Sequence, residues 1–327
     1  MDGAIVVRTH GGPEVLEWTH SDPGRPGPGE VLIRHTAVGL NYIDVYHREG
    51  LYPLDLPFTP GVEGAGYVEA VGEGIDDLSP GDAVAYTGNG PAGSYCESRV
   101  LPRARLVPLP NGIDGETAAA IMLKGCTVEY LVRRTFPVGE DHLVLLHAAA
   151  GGVGLIASQW LRALGATVIG TVGSERKAEL ARANGCHHTI LYREENVAKR
   201  VQEITDGAGV HVVYDSVGAV TFEDSIASLR PRGMMVTYGN ASGPVEPIRP
   251  LVLAGGGSLF LTRPRLLDYY TSAEEAAVGC AALFEMVTSG NVRPHIGQTF
   301  ALEDVADAHR SLEARETVGS TVLKVGS

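Results

Sequence analysis

The run His147-Ala-Ala-Ala-Gly-Gly-Val-Gly154 constrains this chain more than any other stretch. It follows an apolar segment, Leu143 to His147, and opens an amphipathic one, Val153 to Leu164. A strand turning tightly into a helix needs small residues at the turn. Glycines there also let a phosphate-bearing ligand reach the helix N-terminus, whose unpaired N–H groups and dipole favour an anion. Against the pattern G-x-G-x-x-G, Ala149 replaces the first glycine, Gly151 is suited to close backbone approach to a pyrophosphate, and Gly154 to helix–strand packing. A ligand-free glycine-rich turn has the same local look, so the flanking sequence decides between the two.

That flanking sequence repeats one unit. Candidate strands at Leu143 to His147, Thr167 to Thr171, His188 to Leu191, His211 to Asp215, Met234 to Tyr238 and Ser258 to Leu261 alternate with helical patterns. The helical patterns are Val153 to Leu164, Glu175 to Ala183, Asn196 to Thr205, Val220 to Leu229 and, more weakly, Ile248 to Ala254. Strand–helix alternation predicts a parallel sheet covered by helices, and six strands make a full dinucleotide-binding fold. The first 110 residues read differently: Gly and Pro punctuate short apolar alternations at Gly3 to Arg8, Glu30 to Ala37, Gly66 to Ala70 and Asp82 to Tyr86, which predicts a turn-rich β domain. A helical pattern covers Thr117 to Arg134. Beyond Pro264, two helices, Ala273 to Ser289 and Leu302 to Ala314, precede an apolar run, Ser320 to Val325, which we assign to the first domain.

The second strand of the alternating region bears on which dinucleotide is bound. An Asp or Glu about 20 residues after the glycines binds the ribose 2′-hydroxyl of NAD. Here the strand ends in Gly173-Ser174, with Arg176 and Lys177 close behind, so no carboxylate repels a 2′-phosphate and two cations are at hand. NADPH is therefore favoured over NADH. Glu175 is the opposing residue; at the start of a helix it equally suits the role of an N-terminal acid. Lys177 has the alternative of a solvated helix face, and Tyr192, after the third strand, is either a cover for the adenine side or an ordinary half-buried tyrosine.

The formal charge of −13 repels polyanions, and no Lys/Arg-rich block offers a nucleic-acid footprint, so nucleic acid is not an expected partner. No apolar run approaches the roughly 18 to 20 residues of a membrane span. The start Met1-Asp2-Gly3 lacks a signal peptide's basic and apolar regions, and we expect a cytoplasmic protein without membrane partners. Cys96, Cys126, Cys186 and Cys280 show no C-x-x-C spacing and read as separate reduced thiols.

Asp141-His142, Leu145, Ala149-Ala150-Gly151-Gly152, Gly154, Gln159 and Arg162 together resemble the signature of zeta-crystallin-like quinone oxidoreductases, the zinc-independent branch of the medium-chain dehydrogenase/reductase superfamily. The similarity continues at His10-Gly-Gly-Pro-Glu-Val-Leu16, Gly39-Leu-Asn-Tyr-Ile-Asp-Val-Tyr46, Gly50-Leu-Tyr-Pro53, Lys124-Gly125 with Thr127, Tyr214-Asp-Ser-Val-Gly218 and Gly257 to Pro264. The resemblance implies an α/β chain: a GroES-like β domain from 1–124, completed by 265–327, a Rossmann domain with a doubly wound six-stranded sheet over 125–264, and an active cleft at their junction. It also implies NADPH contacts at Asn41 and Tyr46 near the nicotinamide, at Thr127 in the cleft helix, at Ala150, Gly151, Gly152 and Val153 around the pyrophosphate, and at Gly173, Ser174, Lys177 and Tyr192 around the 2′-phosphate. Ser216, Val217, Gly239, Asn240, Leu261 and Arg263 complete the set. Cys126 and Glu129 depart from the family pattern and bear on substrate preference.

The zinc-dependent branch uses a Cys and a Gly-His-Glu stretch where this chain has Asn41 and Gly61-Val62-Glu63. An open zinc site takes three protein ligands, and Val62 cannot be one, so no metal is expected. Without a Lewis acid, a quinone or other activated carbonyl is a better hydride acceptor than a saturated alcohol is a donor. The expected activity is NADPH:quinone oxidoreduction, by hydride or single electrons, with Tyr46 and Tyr52 as candidate proton donors or substrate positioners. Asp44 would orient one of them, and Lys124 and Arg263 are candidate cations for cofactor phosphate or a hydroquinone anion. An NADPH-dependent alkenal/enone reductase uses the same geometry and remains the enzymatic alternative; an NADPH-binding structural or RNA-binding protein is the alternative of another class. The resemblance further implies a homodimer through the edge strand near Gly257 to Leu261.

Overall fold

The first segment of the chain builds β structure from alternating apolar residues. In a computed structural model, which describes residues 2–88 and 90–326, it runs β1 (Asp2–Val6), β2 (Glu17–Ser21), β3 (Glu30–Leu40), α1 (Tyr42–Glu49), β4 (Gly64–Val71), β5 (Ala83–Tyr86), β6 (Ser98–Pro102), β7 (Val107–Pro108) and α2 (Gly115–Tyr130). Strand β3 runs three residues past the alternation read in the sequence, because Val38, Gly39 and Leu40 pair with the C-terminal strand. Gly39 is required there: a methyl group on it would lie 2.1 Å from Glu63 Oε1 and 2.3 Å from the Ala119 carbonyl oxygen.

The middle segment forms β8 (Leu143–Leu146), α3 (Gly152–Ala163), β9 (Thr167–Val172), α4 (Glu175–Ala183), β10 (His188–Leu191), α5 (Val197–Ile204), β11 (Val210–Asp215), α6 (Phe222–Ser228), β12 (Leu229–Thr237), α7 (Leu251–Gly255), β13 (Phe260–Thr262) and α8 (Leu266–Tyr269). The six strands lie in the order β10-β9-β8-β11-β12-β13, all parallel, which is the doubly wound dinucleotide-binding arrangement. Its core takes Leu145, Ile169, Ile190, Val213 and Met235 from the strands and Val197, Val201 and Phe222 from the helices. The last strand begins two residues later than its apolar run suggests, because Gly257 and Ser258 both have positive φ (100° and 59°) and turn the chain first.

The C-terminal segment supplies α9 (Ala273–Thr288), β14 (Ile296–Ala301), α10 (Val305–Glu313) and β15 (Ser320–Lys324). Strand β15 pairs antiparallel with β3, in a sheet ordered β14-β15-β3-β4-β5-β7 with β6 also on β3. Ile5, Val7, Val38, Leu40, Tyr95, Val305 and Leu323 form one of its cores. Strand β14 has no counterpart in the sequence reading; it is a half-buried edge strand whose Gly297 and Gln298 blur the alternation. Two units result: Met1–Cys126 with Tyr270–Thr288 and Pro294–Ser327, and Thr127–Tyr269 with Ser289–Arg293.

Candidate active site

In the second unit, the turn from β8 into α3 brings Ala149, Ala150, Gly151, Gly152 and Val153 to the helix N-terminus, with Gly151 as its N-cap. Gly154 packs directly on this turn: a methyl group there would lie 2.3 Å from the Ala148 carbonyl oxygen and 2.7 Å from Ala149 Cα. Backbone cannot swing aside as a side chain can. Gly154→Ala is therefore expected to lower stability by about 1–3 kcal/mol through overpacking and to weaken dinucleotide binding by displacing the helix N-terminus. Urea unfolding and a cofactor titration check both effects; an unchanged unfolding midpoint would contradict this packing account.

A buried polar network, not singled out in the sequence, shapes the end of the neighbouring parallel strand β11. His147 is held by Thr171 Oγ1 at 3.0 Å and Ser225 Oγ at 2.9 Å, and burial keeps its imidazole below the usual histidine range. Asp215, at the end of β11, accepts hydrogen bonds from Ser225 Oγ, Thr221 Oγ1 and the backbone N–H groups of Val217 and Gly218. The Ser216-Val217 turn is thus fixed from beneath by a wholly buried carboxylate. Gly239 lies against it, where a methyl group would come within 2.3 Å of the Ser216 carbonyl oxygen.

At the end of β9, Ser174 caps α4 by accepting the Lys177 backbone N–H, and the Lys177 side chain is half-buried. A methyl group on Gly173 would lie 2.9 Å from the Tyr192 hydroxyl, so these two predicted cofactor residues are neighbours. Glu175, the residue opposing a 2′-phosphate, forms an ion pair with Arg182 at 2.5 Å. Glu129, buried on α2, is engaged by Arg133 at 3.3 Å and Arg134 at 2.6 Å. Thr127 is half-buried on α2, Leu261 is half-buried on β13, and Arg263 is exposed.

In the first unit, β3 delivers Asn41 to the start of α1. Asn41 Nδ2 donates to Glu63 Oε1 at 2.7 Å, Lys124 Nζ donates to the same oxygen at 2.8 Å, and the Leu123 N–H donates to Glu63 Oε2 at 2.6 Å. Glu63 is wholly buried, and the places where zinc-dependent relatives carry ligands hold an amide donor, an apolar Val62 and this lysine-paired carboxylate. Among the described residues no group of three or more His, Cys, Asp or Glu is placed to hold a metal ion.

Of the candidate phenols, Tyr46 lies on α1 and Tyr52 just beyond it, where its backbone N–H donates to the Tyr46 carbonyl oxygen at 3.1 Å. Tyr46 is buried, Tyr52 is half-buried, and their rings meet edge to face with centroids 5.2 Å apart. Asp44 was expected to orient one of them, but the phenol it holds is Tyr95, whose hydroxyl donates to Asp44 Oδ2 at 2.9 Å. The same oxygen accepts the Asn41 N–H at 2.9 Å, so Asp44 caps the helix start that presents Asn41 and Tyr46. Tyr95 continues to His309 at 3.3 Å and His309 to Arg48 at 3.0 Å, a chain whose members are far apart in sequence and carry no local signal.

Burial raises the Asp44 pKa to about 7, outweighing the lowering by its hydrogen bonds to Asn41 and Tyr95. The folded protein thus keeps the Asp44 proton that the unfolded chain, with the ordinary value of 3.8, releases. This contribution to stability is fully present below pH 3.8 and is lost as pH rises to about 7. Asp44→Asn is expected to flatten the stability profile across that window, checked by unfolding midpoints against pH. A profile as steep as that of the unsubstituted protein would contradict the assignment.

The family described as alcohol dehydrogenase GroES-like domain matches residues 27–111, and that described as zinc-binding dehydrogenase matches residues 152–273. The chain is 51% identical to the quinone oxidoreductase of Pseudomonas aeruginosa, with 98% of each chain covered. It is 45% identical to a 2-haloacrylate reductase of Burkholderia sp., again over 98% of each. The solved Escherichia coli quinone oxidoreductase complexed with NADPH aligns with a TM-score of 0.96 at 43% identity, covering 98% of this chain and 99% of that one. A GroES-like domain joined to a doubly wound dinucleotide-binding sheet defines a medium-chain dehydrogenase/reductase. Within that class, the chain belongs to the quinone oxidoreductase family.

Proposed function

We propose that this protein is an NADPH:quinone oxidoreductase that works without a metal. The observation that carries the reading is the glycine turn at the head of the doubly wound sheet, in a chain 51% identical to a quinone oxidoreductase over nearly its whole length. The residues fit the cofactor: Gly151 caps a helix whose N-terminus takes a pyrophosphate, and Gly154 keeps the turn tight. The pairing of Glu175 with Arg182 leaves Gly173, Ser174, Lys177 and Tyr192 as the 2′-phosphate group. When bound, NADPH supplies the hydride or electrons.

The chain's own residues orient and exclude water. Asp44 and Glu63 fix Asn41 at the start of α1, which makes Asn41 a nicotinamide-side contact with a set amide direction. Tyr46 and Tyr52 are the proton-donating or substrate-positioning pair, with Asp44 capping the helix that carries Tyr46. Ser216, Val217, Gly239 and Asn240 are the remaining cofactor contacts at the ends of β11 and β12, with Thr127, Leu261 and Arg263. Metal independence is supported by the commitment of Glu63 to Lys124 and Asn41.

A homodimer through β13 is supported by that strand's position at the edge of the sheet, where Phe260 is exposed. No helix of the described residues is long and apolar enough to cross a membrane. A cytoplasmic location is supported by the four cysteines, none of them in a disulfide.

The similarity to a 2-haloacrylate reductase favours one second reading, reduction of an activated carbon–carbon double bond. An acceptor panel separates the two: NADPH oxidation faster with 1,4-benzoquinone than with 2-chloroacrylate or an alkenal is expected. Oxidation with only the latter two would transfer the assignment, and none with any acceptor would remove the enzymatic reading.

A further inference from the structure

Within the first unit, Cys126 on α2 and Cys280 on α9 are both buried, with their sulfurs 3.7 Å apart. The two helices run close together beside this pair, since a methyl group on Gly125 would meet Leu283 Cδ1 at 2.3 Å. Disulfide sulfurs lie about 2.05 Å apart, so bonding needs an approach of about 1.7 Å. The other two cysteines are engaged differently: Cys96 with the Gly93 carbonyl oxygen at 3.2 Å and Cys186 with Ser158 Oγ at 3.3 Å.

Access to the pair is one-sided. Cys280 lines a pocket of about 230 Å³ together with Thr87, Arg103, Arg105 and Ala276, whereas Cys126 lies outside that lining. A water molecule takes about 30 Å³ in the liquid, so hydrogen peroxide fits such a space. Thr87, on the same wall, has a buried hydroxyl with no hydrogen-bond partner among the described residues, a contact suited to a peroxide oxygen.

We propose that Cys126 and Cys280 are a peroxide-responsive dithiol, with Cys280 as the residue that a peroxide oxidises first and Cys126 as the resolving one. The Cys280 sulfur attacks one oxygen of a hydroperoxide; the O–O bond breaks, and the thiol proton leaves with the departing oxygen as water or alcohol. The Cys126 sulfur then attacks the resulting sulfenic acid, the S–S bond forms, the S–O bond breaks, and the Cys126 proton leaves in water. Two thiols are oxidised by two electrons and one peroxide is reduced. The bond staples α2 two residues beyond Lys124, and a thiol reductant reverses it. This proposal stands independently of the quinone reaction.

The test is to expose the full-length protein to hydrogen peroxide, denature it, alkylate with N-ethylmaleimide and measure the intact mass. Two of the four thiols are expected to escape alkylation, with the mass lower by two hydrogens before alkylation and all four thiols recovered after dithiothreitol. Cys126→Ser is expected to stop at a dimedone-reactive sulfenic acid on Cys280, and Cys280→Ser to leave Cys126 reduced. Four thiols surviving, a disulfide between two copies on a non-reducing gel, or oxygen added to Cys280 of the unsubstituted chain with Cys126 still alkylated would each overturn the proposal. The unsubstituted chain alone suffices for that judgement, should either serine variant misfold.

Discussion

Lys124→Met is expected to lower the unfolding free energy by about 3–5 kcal/mol, because it strands a buried carboxylate. Glu63 is 0% exposed and Lys124 6%, so water cannot take the lysine's place without opening the fold. The two remaining donors, the Leu123 N–H and Asn41 Nδ2, satisfy the Glu63 oxygens as hydrogen-bond acceptors but do not cancel the charge. Adding Glu63→Gln to the same chain is expected to recover at least half the loss, since a neutral amide can still accept one of those bonds. Chemical unfolding of the two single variants and the double variant closes the cycle. A loss under about 1 kcal/mol for Lys124→Met, the size of an exposed pair, would mean that the ion pair is not desolvated.

Lys177→Ala is expected to raise the Kd for NADPH about 10- to 100-fold, the equivalent of one charge-assisted contact, and to leave the Kd for NADH unchanged within about twofold. The substitution is clean in one respect. Ser174 caps α4 through the backbone N–H of Lys177, which alanine retains, so the loop that presents Gly173 keeps its geometry. Equal weakening of both cofactors, measured by titration, would place the lysine's role in the helix rather than at a phosphate.

The dinucleotide half was legible because its signals are local. A glycine turn between an apolar strand and an amphipathic helix is written in consecutive residues, and each of the six strands carries its own apolar run. The residues proposed for the 2′-phosphate, Ser174 and Lys177, lie together at one strand end, where Ser174 accepts the Lys177 backbone N–H. The supporting chemistry was not legible. Asp215 and His147 meet through Ser225, and Asp44, Tyr95, His309 and Arg48 meet across 265 positions of sequence, from α1 through Tyr95 in the segment before β6 to α10 near the C-terminus. An aspartate three residues after Asn41 does signal a helix start, and that signal was available; what it could not reveal is that Tyr95 is the phenol held there. Strand β14 was missed for a different reason: an edge strand needs only half its side chains buried, so Gly297 and Gln298 can sit in it with little penalty.

The most direct test of the central claim is NADPH oxidation with 1,4-benzoquinone, by protein dialysed against a strong chelator and compared with NADH. The expected result is quinone-dependent oxidation that survives chelation in full and prefers NADPH. Activity lost on chelation and restored by zinc, or no quinone-dependent oxidation from protein that still binds NADPH, would contradict it.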